Sequence, residues 1–152
     1  MATDPCIVRL AERDDLLVLT RLVELVPDLT AEQLSSVQRA TWDRMMATDD
    51  LTIYLAEYDG EPVGYTASLQ MPHLTYRCRP TVFVESMRVL EAHRRRGVAR
   101  RMLQRLLADA QAAGCQKVQL VTHKRHAEDG AHDLYRSQGF IAEAEGFRLY
   151  LE

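Results

Sequence analysis

The segment TVFVESMRVLEAHRRRGVARRML, residues 81–103, changes its pattern in the middle. Its first ten residues are rich in β-branched and aromatic side chains, which predicts a strand from Thr81 to Leu90. After Gly97 the apolar residues recur every three or four positions, which predicts an amphipathic helix. Arg94 to Arg96 therefore lie in a turn between a strand and a helix, with Gly97 at the hinge.

A strand–turn–helix junction of this kind can bind an anion. The first four N–H groups of a helix have no acceptor within the helix, and the helix dipole adds partial positive charge there. A glycine lets the backbone approach a phosphate closely, and neighbouring arginines can bind its oxygens in pairs. Charge alone also allows a solvated basic helix start or a nucleic-acid patch. A Walker-type loop is excluded, because no GK[ST] motif follows Gly97.

The composition of the chain argues against nucleic acid as a partner. The 152 residues carry a net charge of −3, with acidic and basic residues interleaved, so no general affinity for polyanions is expected. The length suits a single domain over residues 1–152, and a hydrophobic content of 47% is ordinary for a globular protein.

The cysteines and the absence of long apolar runs bear on the compartment. Cys6, Cys78 and Cys115 are widely spaced and in no CxxC arrangement, which predicts a reducing compartment with neither disulfides nor a zinc site. No signal-peptide pattern and no membrane-length apolar run occur in the sequence. We therefore expect a cytoplasmic protein without a membrane partner or a bound metal.

Patterns elsewhere predict the order β-α-α-β-β-β-α-β-α-β. The helices are expected over residues 13–26 and 31–47, the second starting at Thr30 with Gln33 completing a capping box. Asp59-Gly60 predicts a β-hairpin. A further strand begins at Lys117, a short helix ends at Gly139, and FIAEAEGFRLYLE can supply one or two closing strands. The fold class is α/β (α+β), with a mixed, mostly antiparallel sheet flanked by helices.

Two motifs in this order resemble a known family. RRRGVA, residues 94–99, resembles the [QR]xxGx[GA] pyrophosphate loop of the GNAT N-acetyltransferase superfamily, and LYRSQGF, residues 134–140, resembles its FYxxxGF-type signature. The element order is similar across nearly the whole chain. The resemblance implies the GNAT acyl-CoA acyltransferase fold, in which strands β4 and β5 are parallel, and acetyl-CoA (coenzyme A) as co-substrate.

The resemblance also implies which residues contact the cofactor. In the family, backbone amides of the loop bind the pyrophosphate, and the strand before the loop binds the pantetheine arm by β-like hydrogen bonds. The implied loop contacts are Arg94, Arg95, Arg96, Gly97, Val98, Ala99 and Arg100, and the implied strand contacts are Met87, Arg88 and Val89. The family often has an asparagine after the fifth strand; THKRHAEDGAHDLY has none, and His126, Glu128 and His132 are the alternatives.

Two residues are predicted to be catalytic. Tyr135 matches the family position whose hydroxyl protonates the departing thiolate; packing of its ring under the sheet is the alternative. Strict alternation in the strand places Phe83, Glu85, Met87 and Val89 on one face. A carboxylate among apolar neighbours needs a function or a partner, so Glu85 is a candidate base or substrate anchor, or else a buried residue paired with an arginine such as Arg88.

The predicted function is acetyl-CoA-dependent N-acetylation of a primary amine by direct attack in a ternary complex. A small-molecule acceptor is preferred, with protein or peptide acetylation as the alternative, and a non-catalytic acyl-CoA sensor as the alternative of another class. Possible acceptor-lining residues are Glu24, Asp28, Trp42, His73, Tyr76 and Arg77. The resemblance implies a homodimer, because members of the family often dimerise.

Overall fold

The computed structural model describes residues 4–151, which are built around a five-stranded sheet in the order β1-β2-β3-β4-β5. The strands are β1 (Cys6–Leu10), β2 (Leu51–Tyr58), β3 (Glu61–Met71), β4 (Thr81–Val89) and β5 (Lys117–Leu120). Neighbouring strands from β1 to β4 are antiparallel, whereas β4 and β5 are parallel. The predicted fold class is confirmed.

Helices cover both faces of the sheet. They are α1 (Leu16–Glu24), α2 (Ser36–Met46), the single irregular turn α3 (Thr75–Cys78), α4 (Val98–Ala112) and α5 (Ala131–Ser137). No helix within residues 4–151 is long and apolar enough to span a membrane.

The second predicted helix is divided in two. Ala31–Gln33 forms only a 3-10 turn, which Thr30 begins by donating its backbone N–H to Gln33 Oε1 at 2.8 Å. Leu34 then adopts extended geometry, and α2 starts after Ser35, whose Oγ accepts the backbone N–H of Gln38 at 3.1 Å. Two capping boxes in succession compete for the helix start, so the prediction of one helix over 31–47 is wrong.

The hairpin between β2 and β3 turns at Asp59 and Gly60, as predicted. Both residues have positive φ, 51° and 82°, which is the geometry of a type I′ turn. This hairpin fixes the register of β2 on β3, with Leu51 opposite Leu69 at its far end.

The two faces of the sheet have separate cores. On one face, α4 buries Met102, Leu103 and Leu106 completely, against β-strand residues that include Val63 and Val84. On the other face, α1 and α2 pack through a cluster of Leu19, Leu22, Trp42, Ile53 and Leu55. The candidate site lies along the second half of β4, between the two helical layers.

The predicted closing strands are not formed in residues 140–151. An alternating sequence needs an unoccupied strand edge to become a strand, and β5 offers only the four residues Lys117–Leu120. The segment passes near the end of β5, where a Cβ on Gly146 would lie 3.3 Å from Val121 Cγ1. The side chains of Phe147 and Leu151 remain exposed.

Candidate active site

Strands β4 and β5 run side by side for only part of their length. They pair from Thr81 opposite Lys117 to Val84 opposite Leu120. β5 ends there, whereas β4 continues to Val89. Among the residues that the structure describes, the second half of β4 therefore has β3 on one side and an open edge on the other. Backbone groups along such an edge can hydrogen-bond an extended ligand as a neighbouring strand would.

A bulge in β4 lies at the start of this open edge. Tyr65 pairs with Arg88 and Ala67 pairs with Glu85, so two steps along β3 are opposed by three steps along β4. Ser86 accommodates the extra residue with a positive φ of 54°. Bulges bend a strand and free backbone groups from the ladder, which is why they are common next to active sites.

The bulge changes which side chains of β4 share a face. Val84 and Met87 both pack toward α4 although they are three positions apart. Glu85 lies on the other face, because it pairs with Ala67, which packs against the α1 and α2 cluster. The prediction that Phe83, Glu85, Met87 and Val89 share one face of β4 is therefore wrong. Strict alternation holds only where no residue is inserted.

Glu85 is exposed and forms no ion pair within residues 4–151. Arg88 instead donates from Nη1 to the carbonyl oxygen of Val23 at 3.1 Å, which ties β4 to the end of α1. The alternative of a buried glutamate paired with Arg88 is therefore wrong. An exposed carboxylate beside a bulge remains compatible with the predicted base or anchor.

The turn after β4 leads into an uncapped helix N-terminus. Gly97 is the N-cap of α4 with φ 84°, and no side chain caps the helix. The first intrahelical bond comes from Arg101 N to Gly97 O, at 3.0 Å, so the N–H groups of residues 98–100 have no acceptor within the helix. A Cβ on Gly97 would meet no atom of the described residues within 4 Å. Open space therefore faces free donors at the positive end of a 15-residue helix, an arrangement that fits a phosphate group.

The arginines of the turn divide into two groups. Arg94 Nε donates to the carbonyl oxygen of Val89 at 3.2 Å, and the Arg96 guanidinium lies 5.5 Å from the centre of the Tyr58 ring. These two contacts tie the turn to β4 and β2. Arg95 and Arg100 are exposed and have no side-chain partner in the described part of the chain, so they remain available to an anion.

Tyr135 lies on α5 and its ring meets that of Phe140 edge-on, with centroids 6.0 Å apart. Burial raises the pKa of the Tyr135 hydroxyl, and the negative charge of Asp129 raises it further. The hydroxyl is therefore a proton donor at neutral pH, as the predicted general acid requires.

Asp129 connects α5 with the arginine turn. A hydrogen bond from His126, then one from the Ala131 N–H, hold the pKa of Asp129 below its ordinary value, and the positive charge of Arg94 contributes. Because the same carboxylate acts on Tyr135, Tyr135 and Arg94 share one electrostatic environment. Sequence reasoning missed Asp129, which precedes Gly130, the N-cap of α5, and accepts the backbone N–H of Ala131 at 3.1 Å.

The segment after β5 contains the three residues that could replace the family asparagine, His126, Glu128 and His132, and also His123. His123 Nδ1 accepts the backbone N–H of Arg125 at 3.1 Å, and His126 is hydrogen-bonded to Asp129. His132 differs from them, since its Nε2 is buried and has no hydrogen-bond partner among residues 4–151. Glu128 is exposed.

A pocket of about 360 Å³ lies between α1, α2 and the sheet, and we call it the α1/α2 pocket. It reaches from Ile53 on β2 to Ser86 at the β4 bulge. Its lining residues are Leu16, Leu19, Thr20, Val23, Glu24, Val37, Gln38, Thr41, Trp42, Met45, Ile53, Tyr65, Ala67 and Ser86. One cavity therefore joins the helical layer to the open edge of β4.

Only two of the predicted acceptor-lining residues, Glu24 and Trp42, lie in this pocket. His73 is hydrogen-bonded to Thr81 Oγ1 at 2.9 Å, and the Lys117 amino group lies 5.3 Å from the Tyr76 ring centre, at the opposite end of β4. Of the residues predicted to line an acceptor site, Asp28, His73, Tyr76 and Arg77 therefore do not line the α1/α2 pocket. The position of a loop in the chain does not show which end of the sheet it lies at. The direction of the neighbouring strand decides that, here the direction of β4.

Sequence reasoning missed Tyr65 and Ser86 as site residues. Burial raises the pKa of Tyr65, with the charge of Arg88 and the Ser86 hydroxyl acting in the opposite direction. The two side chains lie where the pocket meets the bulge. The available signal was a small polar residue inside an otherwise apolar and β-branched strand.

The described residues contain no group of three His, Cys, Asp or Glu side chains placed to hold a metal ion. They hold an open strand edge that leads to free helix N–H groups, a pocket that reaches the bulge, and a tyrosine hydroxyl on α5. Such a set can bind an extended phosphate-bearing molecule and present its end to a second ligand.

Comparison with known proteins agrees with this arrangement. Residues 20–140 match the model of the acetyltransferase (GNAT) family. The chain is 33% identical to a putative acetyltransferase from Agrobacterium tumefaciens str. C58, over 95% of this chain and 99% of that chain, with a TM-score of 0.83.

More distant structures share the fold. A glucosamine-6-phosphate N-acetyltransferase from Arabidopsis thaliana is 19% identical, with a TM-score of 0.75 over 97% of this chain and 99% of that chain. An aminoglycoside N-acetyltransferase in complex with CoA is 21% identical, with a TM-score of 0.73 over 97% of this chain and 94% of that chain.

Proposed function

The chain belongs to the acetyltransferase (GNAT) family, and from this premise we propose that it transfers the acetyl group of acetyl-CoA to a primary amine of a small molecule. The observation that carries the proposal is the continuity of the open edge of β4 with the uncapped N-terminus of α4. The edge suits an extended amide-bearing arm, and the helix end suits a pyrophosphate.

The residues of this chain fit the cofactor in three places. The free N–H groups of residues 98–100, with Arg95 and Arg100 beside them, would hold the pyrophosphate. Backbone groups of residues 87–89 would pair with the pantetheine arm. The missing Cβ of Gly97 leaves room for the phosphates, because nothing lies within 4 Å of that position.

Transfer forms a bond from the acceptor nitrogen to the acetyl carbonyl carbon and breaks the bond from that carbon to sulfur. The amine loses a proton and the departing thiolate gains one. Glu85, exposed beside the bulge, is the candidate that accepts the amine proton, directly or through water. Tyr135, whose pKa is raised by burial, is the candidate that donates the second proton. A backbone N–H at the bulge would stabilise charge on the carbonyl oxygen.

The proposal is tested by thiol release from acetyl-CoA with a panel of small primary amines. Release that depends on the amine, with the acetylated amine identified by mass spectrometry, is the expected result. Tight binding of acetyl-CoA without transfer to any amine or peptide would instead establish a non-catalytic sensor.

Tyr135→Phe tests the proton donor. Because the donated proton stabilises the leaving thiolate, we expect kcat to fall roughly 100-fold, at the low end of general-acid effects. The affinity for acetyl-CoA, measured by titration calorimetry, should stay within about twofold. Since the pKa of Tyr135 is raised, its loss as a donor should affect wild-type kcat only above about pH 10, the ordinary pKa of tyrosine.

Tyr150→Phe is the matched control, because Tyr150 is 83% exposed and outside the site. Unchanged kcat in Tyr135→Phe would leave Tyr135 with a packing role against Phe140 only.

A further inference from the structure

The α1/α2 pocket has mostly apolar walls. Leu16, Val23 and Val37 come from the helices, and Ile53 and Ala67 come from the sheet. Trp42 closes one side; it is 6% exposed and fixed by a hydrogen bond of 2.8 Å from its Nε1 to the carbonyl oxygen of Arg13. A fixed aromatic wall and aliphatic neighbours favour a ligand with an apolar body.

In the part of the chain that the structure describes, the pocket lining contains a single carboxylate, that of Glu24. This residue ends α1, and the same end of the helix contacts β4 through the bond from Arg88 Nη1 to Val23 O. Glu24 Oε1 accepts a hydrogen bond from Gln38 Nε2 at 2.6 Å, which orients the carboxylate. The one negative charge of the pocket is therefore on the side that approaches the bulge.

We infer that the acceptor is an amine with a compact apolar body and one ammonium group. The body lies among Val37, Trp42 and Ile53, and the nitrogen lies toward Glu24 and Ser86. The inference rests on the proposed acetyl transfer, and it assigns the class of acceptor for that same site.

Polycationic sugars do not suit this pocket. A polyhydroxylated amine entering it would leave hydroxyl groups against aliphatic walls, where each unpaired polar group is unfavourable. Several ammonium groups would also share one carboxylate. An aminoglycoside, as in the name of one structural neighbour, therefore does not suit this pocket. Glucosamine 6-phosphate, as in the name of another, has one ammonium group, but its hydroxyl groups would meet the same walls and the described lining offers no positive charge to its phosphate.

Binding can be measured without catalysis, because Trp42 is the single tryptophan of the chain and lines the pocket. The protein is titrated at physiological ionic strength, and its intrinsic fluorescence is followed. The ligands are linear amines from ethylamine to hexylamine, 2-phenylethylamine and the aminoglycoside sisomicin. We expect the dissociation constant to fall roughly fourfold per added methylene until the pocket is filled. Equal affinity across the linear series, or tighter binding of sisomicin than of hexylamine, would overturn the inference.

Glu24→Gln tests the single charge. The variant should bind 2-phenylethylamine up to about fivefold more weakly, since an exposed ion pair is lost. Its affinity for the neutral analogue 2-phenylethanol should not change. Equal losses for both ligands would mean that Glu24 acts on pocket shape, which contradicts the assignment of the ammonium to it.

Val37→Asp tests the apolar wall without affecting the buried core, since Val37 is 72% exposed. A second carboxylate should weaken hexylamine binding and strengthen binding of 1,6-diaminohexane, each several-fold. Ile7→Asp is the matched control, because Ile7 is 57% exposed on β1 and outside the pocket. A similar change in both variants would overturn the assignment of the pocket.

Thiol release on the same amines separates the two proposals. If release is found but is fastest with sisomicin, acetyl transfer stands and the apolar acceptor is rejected. If apolar amines bind at Trp42 but no amine supports release, the acetyl transfer fails although the pocket has been identified correctly.

Discussion

The two faces of the sheet are held in different ways. On the α4 face, Met102, Leu103 and Leu106 are 0% exposed, and apolar burial holds the helix. On the other face α1 is also tied to the sheet by polar contacts, such as that of Arg88 with Val23 O. A polar contact at the end of α1 holds this helix on the sheet and leaves a space of about 360 Å³ between the helices and the sheet. The space for a ligand with an apolar body therefore lies on the α1 and α2 face, whereas the free N–H groups that suit a phosphate lie at the start of α4.

The α4 face has a cavity of its own, of about 210 Å³, near the last turns of α4. Its lining is more polar than that of the α1/α2 pocket: Tyr54 donates its hydroxyl to Asp109 Oδ2 at 3.1 Å, and burial raises the pKa of Tyr54 to about 12. The difference between the two faces thus includes the chemistry of their cavities.

Leu106→Ala should give the largest effect on stability. It removes a completely buried side chain from the α4 face, and we expect a loss of about 2–5 kcal/mol in the free energy of unfolding. Urea denaturation followed by circular dichroism measures the loss. Val37→Ala on the pocket face should change it by less than about 0.5 kcal/mol. Equal effects would remove the distinction between the faces.

Gly64→Ala should have the next largest effect, because it acts on the strand pair beside the bulge. An added Cβ would lie 2.8 Å from the Arg88 carbonyl oxygen and 3.3 Å from Met102 Cε, and the backbone oxygen cannot move without shifting β4. We expect a loss of about 1–3 kcal/mol and a reduced affinity for acetyl-CoA. Gly146→Ala is the control, since its nearest atom is a side-chain methyl of Val121. Unchanged acetyl-CoA affinity in Gly64→Ala would show that the bulge tolerates displacement.

Asp15→Asn tests a polar contact between α1 and β1 on the pocket face. Of the three substitutions it should have the smallest effect on the free energy of unfolding. Asp15 accepts bonds of 2.7 and 2.9 Å from Arg9, which hold the start of α1 on β1. The hydrogen bonds from Arg9, and then the backbone N–H of Glu12, hold the pKa of Asp15 below its ordinary value. We expect a loss of about 1–2 kcal/mol at pH 7.

The pH dependence of this contribution has a fixed sign. A carboxyl whose pKa is lowered by folding stabilises the folded state above its unfolded pKa, about 3.9, and that contribution disappears as the pH falls through the folded pKa. The difference between wild type and Asp15→Asn should therefore shrink in acid, below about pH 4. A difference that is constant from pH 7 to pH 3 would contradict the ion pair.

Much of the fold could be predicted because it depends on local signals. Asp59-Gly60 specified its hairpin, since few other residue pairs take two positive φ angles. Gly97 specified the strand–turn–helix junction, because the change of apolar period on either side of it is strong. Those signals involve residues close in sequence, so no knowledge of distant contacts is needed.

The failures have non-local causes. The bulge at Ser86 depends on how β3 pairs with β4, so an alternation rule applied to β4 alone placed Glu85 and Met87 on one face. The predicted closing strands do not form because a further strand requires a free edge of similar length, and β5 has only four residues. His73 does not line the α1/α2 pocket because the direction of β4 places it beside Thr81, at the end of β4 away from the bulge.

The sequence by itself determined the order of the main elements from β1 to α5, the helix N-terminus at Gly97 and the family motifs at residues 94–99 and 134–140, because each is encoded within a few consecutive residues. Only the tertiary structure decided where β5 stops pairing, which face Glu85 occupies and that a pocket with apolar walls opens at Ser86. These features arise from the packing of segments far apart in the chain, and such packing is set by the whole molecule at once.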